Sequence, residues 1–240
     1  MLKIKPRYFQ IAETLEEEIQ ELAPNSLLAT EDQMAERFKV SRITVRAALD
    51  LLENSGKISR LRGRGTIVSP RKLVRNLSPY MSFEADMKSQ GINFSNKLLS
   101  FETGLTPSAH IVSRLGLNER DKVARLTLSR QVNQQTICHE ERFYPNSIGN
   151  KIKPEEVEKS DCSLILEKAT KRKIETVSWH SEIMSSSREV ANSLGIASRS
   201  LVFNCSYTWF DNEHQSIETG LISYRIDRCQ FHFEDKFKNR

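Results

Sequence analysis

Residues 38–49 read Phe38-Lys-Val-Ser-Arg-Ile-Thr-Val-Arg-Ala-Ala-Leu49, and this stretch decides the fold of the first part of the chain. Ser41 is placed to cap a helix running from about Arg42 to Asn54, with Val45, Ala48, Leu49 and Leu52 as its inward face. Just upstream, Thr30-Glu-Asp-Gln33 is a Thr-x-x-Gln capping box that opens a short helix ending near Phe38. Lys39-Val40 leaves room only for a tight turn. Two short helices joined this way form a helix-turn-helix, whose second helix must offer its first side chains to base edges. Here those are Arg42, Ile43, Thr44 and Arg46. Arg42 and Arg46 are four apart and so leave one face, each able to present two donors to guanine O6 and N7. Two surface arginines on an ordinary helix are the plainer reading of that pair.

The flanks favour the DNA-binding reading. Downstream, Gly56-Lys-Ile-Ser-Arg-Leu-Arg-Gly-Arg-Gly-Thr-Ile-Val68 alternates around a glycine-rich turn and predicts a β-hairpin. Arg60, Arg62 and Arg64 would line it, and Gly63 and Gly65 would let its backbone approach phosphates. A helix-turn-helix followed by a basic hairpin is a winged helix, with the helix in the major groove and the wing on the backbone or minor groove. Upstream, Ile11, Leu15, Ile19 and Leu22 recur at helical spacing, which predicts a helix from about Pro6 to Leu22.

Charge agrees with this layout. The chain of 240 residues carries a formal charge of +5, concentrated between Arg37 and Arg75, where eleven basic residues face only Asp50 and Glu53. Glutamates 13, 16, 17, 18 and 21 crowd the stretch before it, and residues 76–240 are nearly balanced. A localised basic block suits a polyanion, although a solvated charged surface would look the same on charge alone. Apolar runs are all short, which predicts no membrane span, and the start lacks the apolar core of a signal peptide. The four cysteines form no C-x-x-C pair. They are expected to be reduced packing thiols of a cytoplasmic protein, with no metal site.

Residues 1–70 are therefore expected to be one domain, 71–78 a polar linker and 79–240 a second domain. The second part predicts helices at Phe83–Gln90, Pro107–Leu115, Ser163–Thr170 and Ser187–Leu194. Strands are expected at Asn96–Phe101, Lys122–Val132, Thr136–Phe143, Glu175–Met184, Leu201–Phe210, His214–Tyr224 and Cys229–Phe233. That is an α+β domain built on antiparallel hairpins. It carries a weak duplication: Ser113-Arg-Leu-Gly-Leu117 and Asn192-Ser-Leu-Gly-Ile196 each precede two strands, at an offset of 79 that would fall to 78 after the hairpin turns. That register makes Glu140 and Glu218 equivalent, a plausible polar floor for a pocket.

Tyr8-Phe-Gln-Ile-Ala12, the 38–49 stretch and Arg62-Gly-Arg-Gly-Thr-Ile-Val68 resemble the GntR family of bacterial transcriptional regulators. The resemblance implies operator contacts from Arg42, Thr44 and Arg46 on the recognition helix and from Arg62, Gly63 and Arg64 on the wing. Three departures stand out. Leu28-Ala-Thr-Glu31 replaces the family's Leu-Pro-Ser-Glu. Lys39 stands where glycine is common, at a cost of about 1 kcal/mol if the position is left-handed. Asp32 stands where some relatives carry a DNA-contacting arginine.

The second part resembles the UTRA ligand-binding domain of the HutC-like subgroup, a fold similar to chorismate lyase. The residues that carry this are Ser82-Phe-Glu-Ala-Asp-Met87 with Gly91, Arg130, Glu140-x-x-x-Tyr-Pro145, Ser163-Leu and Glu218 with Tyr224-Arg-x-Asp227. It implies that Ser82, Arg130, Glu140, Ser163, Glu218 and Tyr224 face an effector, with Arg130 taking a carboxylate or phosphate. Leu128 and Ile165 differ from relatives that bind amino-sugar phosphates. The expected function is a ligand-responsive repressor that binds a palindromic double-stranded operator as a homodimer and answers to a small, anionic effector, with no cofactor. The rival is a chorismate-lyase-like enzyme fused to a DNA-binding module, for which His139 beside Glu140 is the only candidate acid–base pair, without a catalytic set. Arg130→Ala is expected to abolish the effector response with folding nearly intact.

Overall fold

A computed structural model describes residues 5–61, 63–69, 72–76 and 82–233. The chain divides into two compact units, Met1–Lys72 and Leu73–Arg240.

The first unit is three helices and a hairpin: α1 (Arg7–Glu21), α2 (Glu31–Phe38), α3 (Arg42–Asn54), β1 (Ile58–Leu61) and β2 (Gly65–Val68). Helix α1 starts at Pro6, whose missing N–H costs nothing there. Thr30 and Gln33 form the expected reciprocal box on α2, and the Ser41 hydroxyl accepts from the Thr44 N–H to start α3. The apolar stripe of α1, Ile11, Leu15 and Ile19, packs with Met34, Val45, Leu49 and Leu52 and with Ile58 and Val68 of the hairpin. Lys39 ends α2 in the left-handed region, at φ 52 and ψ 50, so the strain of about 1 kcal/mol on a non-glycine residue applies.

The second unit opens with β3 (Leu73–Asn76) and α4 (Phe83–Ser89), then β4 (Phe94–Leu105), α5 (Ala109–Leu115), β5 (Val123–Val132) and β6 (Gln135–Pro145). A short α6 (Asn146–Gly149) and a 3-10 turn at Pro154–Glu156 lead to α7 (Cys162–Thr170), β7 (Ile174–Ser185), α8 (Arg188–Leu194), β8 (Leu201–Asp211), β9 (Ser216–Arg225) and β10 (Cys229–His232). Strand β3 lies inside the stretch 71–78 expected as linker. It runs parallel to β10, with Leu73 opposite Cys229 and Asn76 opposite His232, so those four residues belong to the second unit.

Six strands form one antiparallel sheet in the order β4-β5-β6-β9-β8-β7. Its halves, β4-α5-β5-β6 and β7-α8-β8-β9, meet at the β6–β9 seam. The repeat is close at the helices: Ser108 and Ser187 cap α5 and α8, and Gly116 and Gly195 end them at φ 63. The expected register needs correction. Leu128 pairs with Glu140 in one hairpin, and the equivalent Tyr207, 79 residues on, pairs with Gly220 in the other. The offset therefore rises to 80, because the β8–β9 turn is longer. Glu140 is equivalent to Gly220, and Glu218 to Cys138. A two-residue slip keeps side chains on the same face, so both carboxylates still point to one side.

That side is covered by α4 and α7. Cys162, Ile165 and Leu166 of α7 pack on Leu126, Leu128 and Tyr144, and Phe83 and Met87 of α4 pack near Cys138, Tyr207 and Tyr224. Helices α5 and α8 cover the other face, where Arg114 donates to Ser206 Oγ at 2.9 Å and His139 Nδ1 meets Ser193 Oγ at 2.9 Å. All four cysteines are buried, and none forms a disulfide. Among the described residues no helix is long and apolar enough to cross a membrane.

Candidate functional site

Two sites emerge, one in each unit. On the first, Arg42 and Arg46 stand exposed on the opening turns of α3. Ile43 beside them is an apolar side chain that is 80% exposed. Both arginines are held by acids of α2. Arg46 forms a fork on Glu31, with Nη2 to Oε2 at 2.8 Å and Nε to Oε1 at 3.3 Å, and Arg42 pairs with Asp32. The hydrogen bond from Arg46 lowers the Glu31 pKa. Exposed pairs like these contribute little to stability. Thr44 is half-buried, with its hydroxyl 2.9 Å from that of Ser41, so it is partly engaged in capping.

The wing tip carries Gly63 at φ 78 with nothing within 4 Å of where a Cβ would lie, and Arg64 exposed beside it. Arg62 lies outside the described residues. Arg60, on strand β1 of the wing, turns its side chain to α3: its Nη2 donates to Asp50 Oδ1 at 2.7 Å and its Nε lies 3.5 Å from Glu53. The glutamates of α1 also draw on the basic block, Glu18 through Arg37 and Glu16 through Lys57.

The second site is a cavity of about 220 Å³ between the sheet, α4, α7 and β7. Its floor is a buried charge network. Arg130 Nε donates to Glu140 Oε2 at 2.9 Å, while Nη1 donates to Glu84 and, at 3.0 Å, to Asn96 Oδ1. Arg142 lies across the seam, with Nε on Glu140 Oε1 at 2.9 Å and Nη1 on Glu218 Oε2 at 3.4 Å. The Tyr207 hydroxyl is 3.0 Å from Glu140 and 2.6 Å from Glu218. It reaches them because residue 220 is glycine: a Cβ there would stand 2.5 Å from the Tyr207 ring and hydroxyl.

The two carboxyls diverge in acidity. Burial opposes ionisation of Glu140, but the Arg142 and Arg130 charges prevail and hold it down at about 2. Burial pushes Glu218 up to about 7 despite Arg142. Divergent pKa values among grouped acids mark a functional cavity more often than a plain core. At the mouth, Asp161 Oδ2 accepts from Ser82 Oγ at 2.5 Å, and its Oδ1 accepts from the Ser163 N–H and hydroxyl at 2.8 and 2.6 Å. Burial works against that carboxylate, and the Ser163 and Ser82 hydrogen bonds outweigh it and lower its pKa.

Residues 7–68 match the bacterial regulatory proteins of the gntR family, and residues 89–230 match the UTRA domain. The chain is 30% identical over 234 residues to the HTH-type transcriptional repressor NagR of Bacillus subtilis, covering 96% of each chain. The chain belongs to the GntR family. This GntR-family chain also superposes on the crystal structures of PhnF from Mycobacterium smegmatis and YydK from Bacillus subtilis. PhnF gives a TM-score of 0.65 at 22% identity, over 95% of this chain and all of that one. YydK gives 0.57 at 24%, over 97% and 100%. Members are transcriptional regulators, which bind DNA and, through the UTRA domain, small-molecule effectors. The enzyme alternative therefore falls.

Of the six expected effector residues in this GntR-family regulator, Ser82, Arg130, Glu140, Ser163 and Tyr224 line the cavity. Glu218, fully buried, sits beneath Tyr207 and Arg142 rather than on the surface. Arg130 is not the open anion anchor expected of it, since Glu84 and Glu140 take its Nε and Nη1 and leave only Nη2 without an oxygen partner. Its truncation cannot leave folding intact, because two buried carboxylates would lose their cation. Sequence reasoning missed Arg75, Glu84, Arg142, Asp161 and Tyr207. Arg142 had a signal, since it sits two residues from Glu140 on an alternating strand and so shares its face.

Proposed function

We propose that this regulator is a repressor that binds a palindromic operator as a homodimer in the bacterial cytoplasm. A small acidic metabolite carrying hydroxyl or amine hydrogens, held in the cavity of the second unit, releases it. The observation that carries this reading is the pairing, in one chain, of a helix bearing two exposed arginines held by acids with a separate cavity walled by buried charged side chains. Arg42, Arg46 and the half-buried Thr44 read bases, and Arg62, Gly63 and Arg64 hold the backbone. One winged helix reads too few base pairs for genomic specificity, which favours the dimer. Identity to a protein named a repressor supports repression. In the cavity, Ser82, Ser163, Glu140 and Tyr224 surround the effector, Arg130 contributes Nη2, and Glu218 acts from below through Arg142.

The test is a fluorescence-anisotropy titration on operator fragments selected from genomic DNA, followed by a metabolite screen for release. Arg42→Ala and Arg46→Ala should each lose roughly 1–3 kcal/mol of specific affinity, and Arg64→Ala should weaken binding evenly across sequences. Unchanged affinity in both helix variants refutes the groove assignment. Failure of every acidic metabolite to release the wild-type protein refutes the effector reading.

A further inference from the structure

Strand β3 begins five residues after β2 ends and puts one side chain, Arg75, into the wall of the cavity. Arg75 is 3% exposed. Its Nη1 pairs with the fully buried Asp86 of α4, and its guanidinium lies 4.7 Å from the Phe83 ring and 5.9 Å from that of Tyr224. Its Nε, though buried, has no hydrogen-bond acceptor among the described residues. Buried donors are almost always satisfied, so an orphan donor on a side chain that lines a cavity marks a missing partner. The other two arginines in the wall are engaged more fully: Arg130 spans Glu84 and Glu140, and Arg142 spans Glu140 and Glu218. Residue 75 falls between the two matched segments, 7–68 and 89–230.

We propose that Arg75 binds the acidic group of the effector through Nε and is the residue by which occupancy of the cavity reaches the segment joining the two units. This rests on the effector reading above. The ligand chemistry it selects is a carboxylate or phosphate oxygen, an acceptor that also meets the arginine's charge. The route to the joining segment is covalent. Strand β3 is the first element of the second unit, tied along its length to β10 and, through the Val74 carbonyl, to the Gln90 amide at 3.0 Å. The Leu73 N–H donates to Arg228 at 2.7 Å, and Asp86 accepts from the Asn76 N–H at 3.2 Å and from its side-chain amide at 2.8 Å. Asp86 thus holds both Arg75 and Asn76. An anion on Nε competes with Asp86 for the same guanidinium, so ligand binding bears directly on the clamp that seats β3. Coupling of this kind needs only that the ligand bind two arrangements of β3 with different affinity.

The experiment uses the full chain with inorganic phosphate as the probe, against chloride at matched ionic strength. Arginine Nε–H and tryptophan indole N–H signals are followed by NMR, and Arg75→Lys both assigns the Arg75 signal and serves as the variant. Lysine keeps a cation for Asp86, whereas Arg75→Ala would leave that buried carboxylate without one. Phosphate should shift the Arg75 Nε–H signal and the indole of Trp179, and its dissociation constant should rise at least tenfold in Arg75→Lys. If Trp179 responds while the Arg75 signal stays fixed, or the constant changes less than twofold, Arg75 is not the anchor and the inference is overturned, with the effector cavity still standing. If neither signal responds, the anion class is refuted as well. The coupling is read with the metabolite found by release from the operator: a Lys variant that binds it and is released like the wild type overturns the transmission role.

Discussion

Arg130→Ala should destabilise the second unit by about 3–5 kcal/mol. The side chain is 2% exposed and donates to Glu84, Glu140 and Asn96. Truncation leaves two buried carboxylates short of their cation, and breaking a buried pair by removing one partner costs about that much. Against a typical total of roughly 5–15 kcal/mol, the loss is large. Equilibrium unfolding in urea followed by tryptophan fluorescence isolates the effect, because both tryptophans of the chain, Trp179 and Trp209, lie in the second unit. The midpoint should fall with little change in slope. The double variant Arg130→Met with Glu84→Gln should recover much of the loss, since it removes a charge along with its partner. A shift below about 1 kcal/mol for Arg130→Ala would show that water or ligand-site relaxation already screens these acids, and the network would not be the structural floor described here.

Three further outcomes follow from named contacts. Glu218 titrates near 7 in the folded chain instead of near 4.5, so its contribution to stability is full below about pH 4.5 and is lost as pH rises through about 7. Glu218→Gln should flatten that decline in a melting-temperature series from pH 5 to 8, and an unchanged series would refute the burial argument. Gly220→Ala drives a methyl into the Tyr207 ring and should cost about 1–3 kcal/mol by urea unfolding; a neutral result would mean that Tyr207 moves freely. Lys39→Gly relieves a left-handed turn at φ 52 and should stabilise the first unit by up to about 1 kcal/mol, seen as a higher midpoint for α-helical circular dichroism.

The winged helix was legible almost residue by residue, because caps and apolar spacing are local. Ser41, Thr30 and Gln33 act within three positions of themselves, and α3 runs over the expected Arg42–Asn54. Most strands of the second unit were found for the same reason, within a few residues at their ends. Strand β3 was not, since four residues, two apolar and then two polar, in a basic stretch carry no periodicity, and its reason for being a strand is β10, more than 150 residues away. The cavity was half legible. A resemblance picks out Arg130 and Glu140, but nothing along the chain says that Glu84 from α4 closes on Arg130, or that Asp161 joins Ser82 to Ser163. Pairings across distant elements decide whether an arginine is an open anchor or a neutralised one.

The two halves of the sheet have drifted apart at their seam. An even repeat would place the same side chain at residues 140 and 220, giving two matching half-sites and an ambiguous ligand orientation. Instead one half supplies an acid and the other leaves the spot bare, and that half's own Tyr207 leans into the vacated space. The symmetry of the repeat is thereby broken in the wall of the cavity. The wall of the cavity therefore meets a carboxylate from one half, at Glu140, and a phenol from the other, at Tyr207.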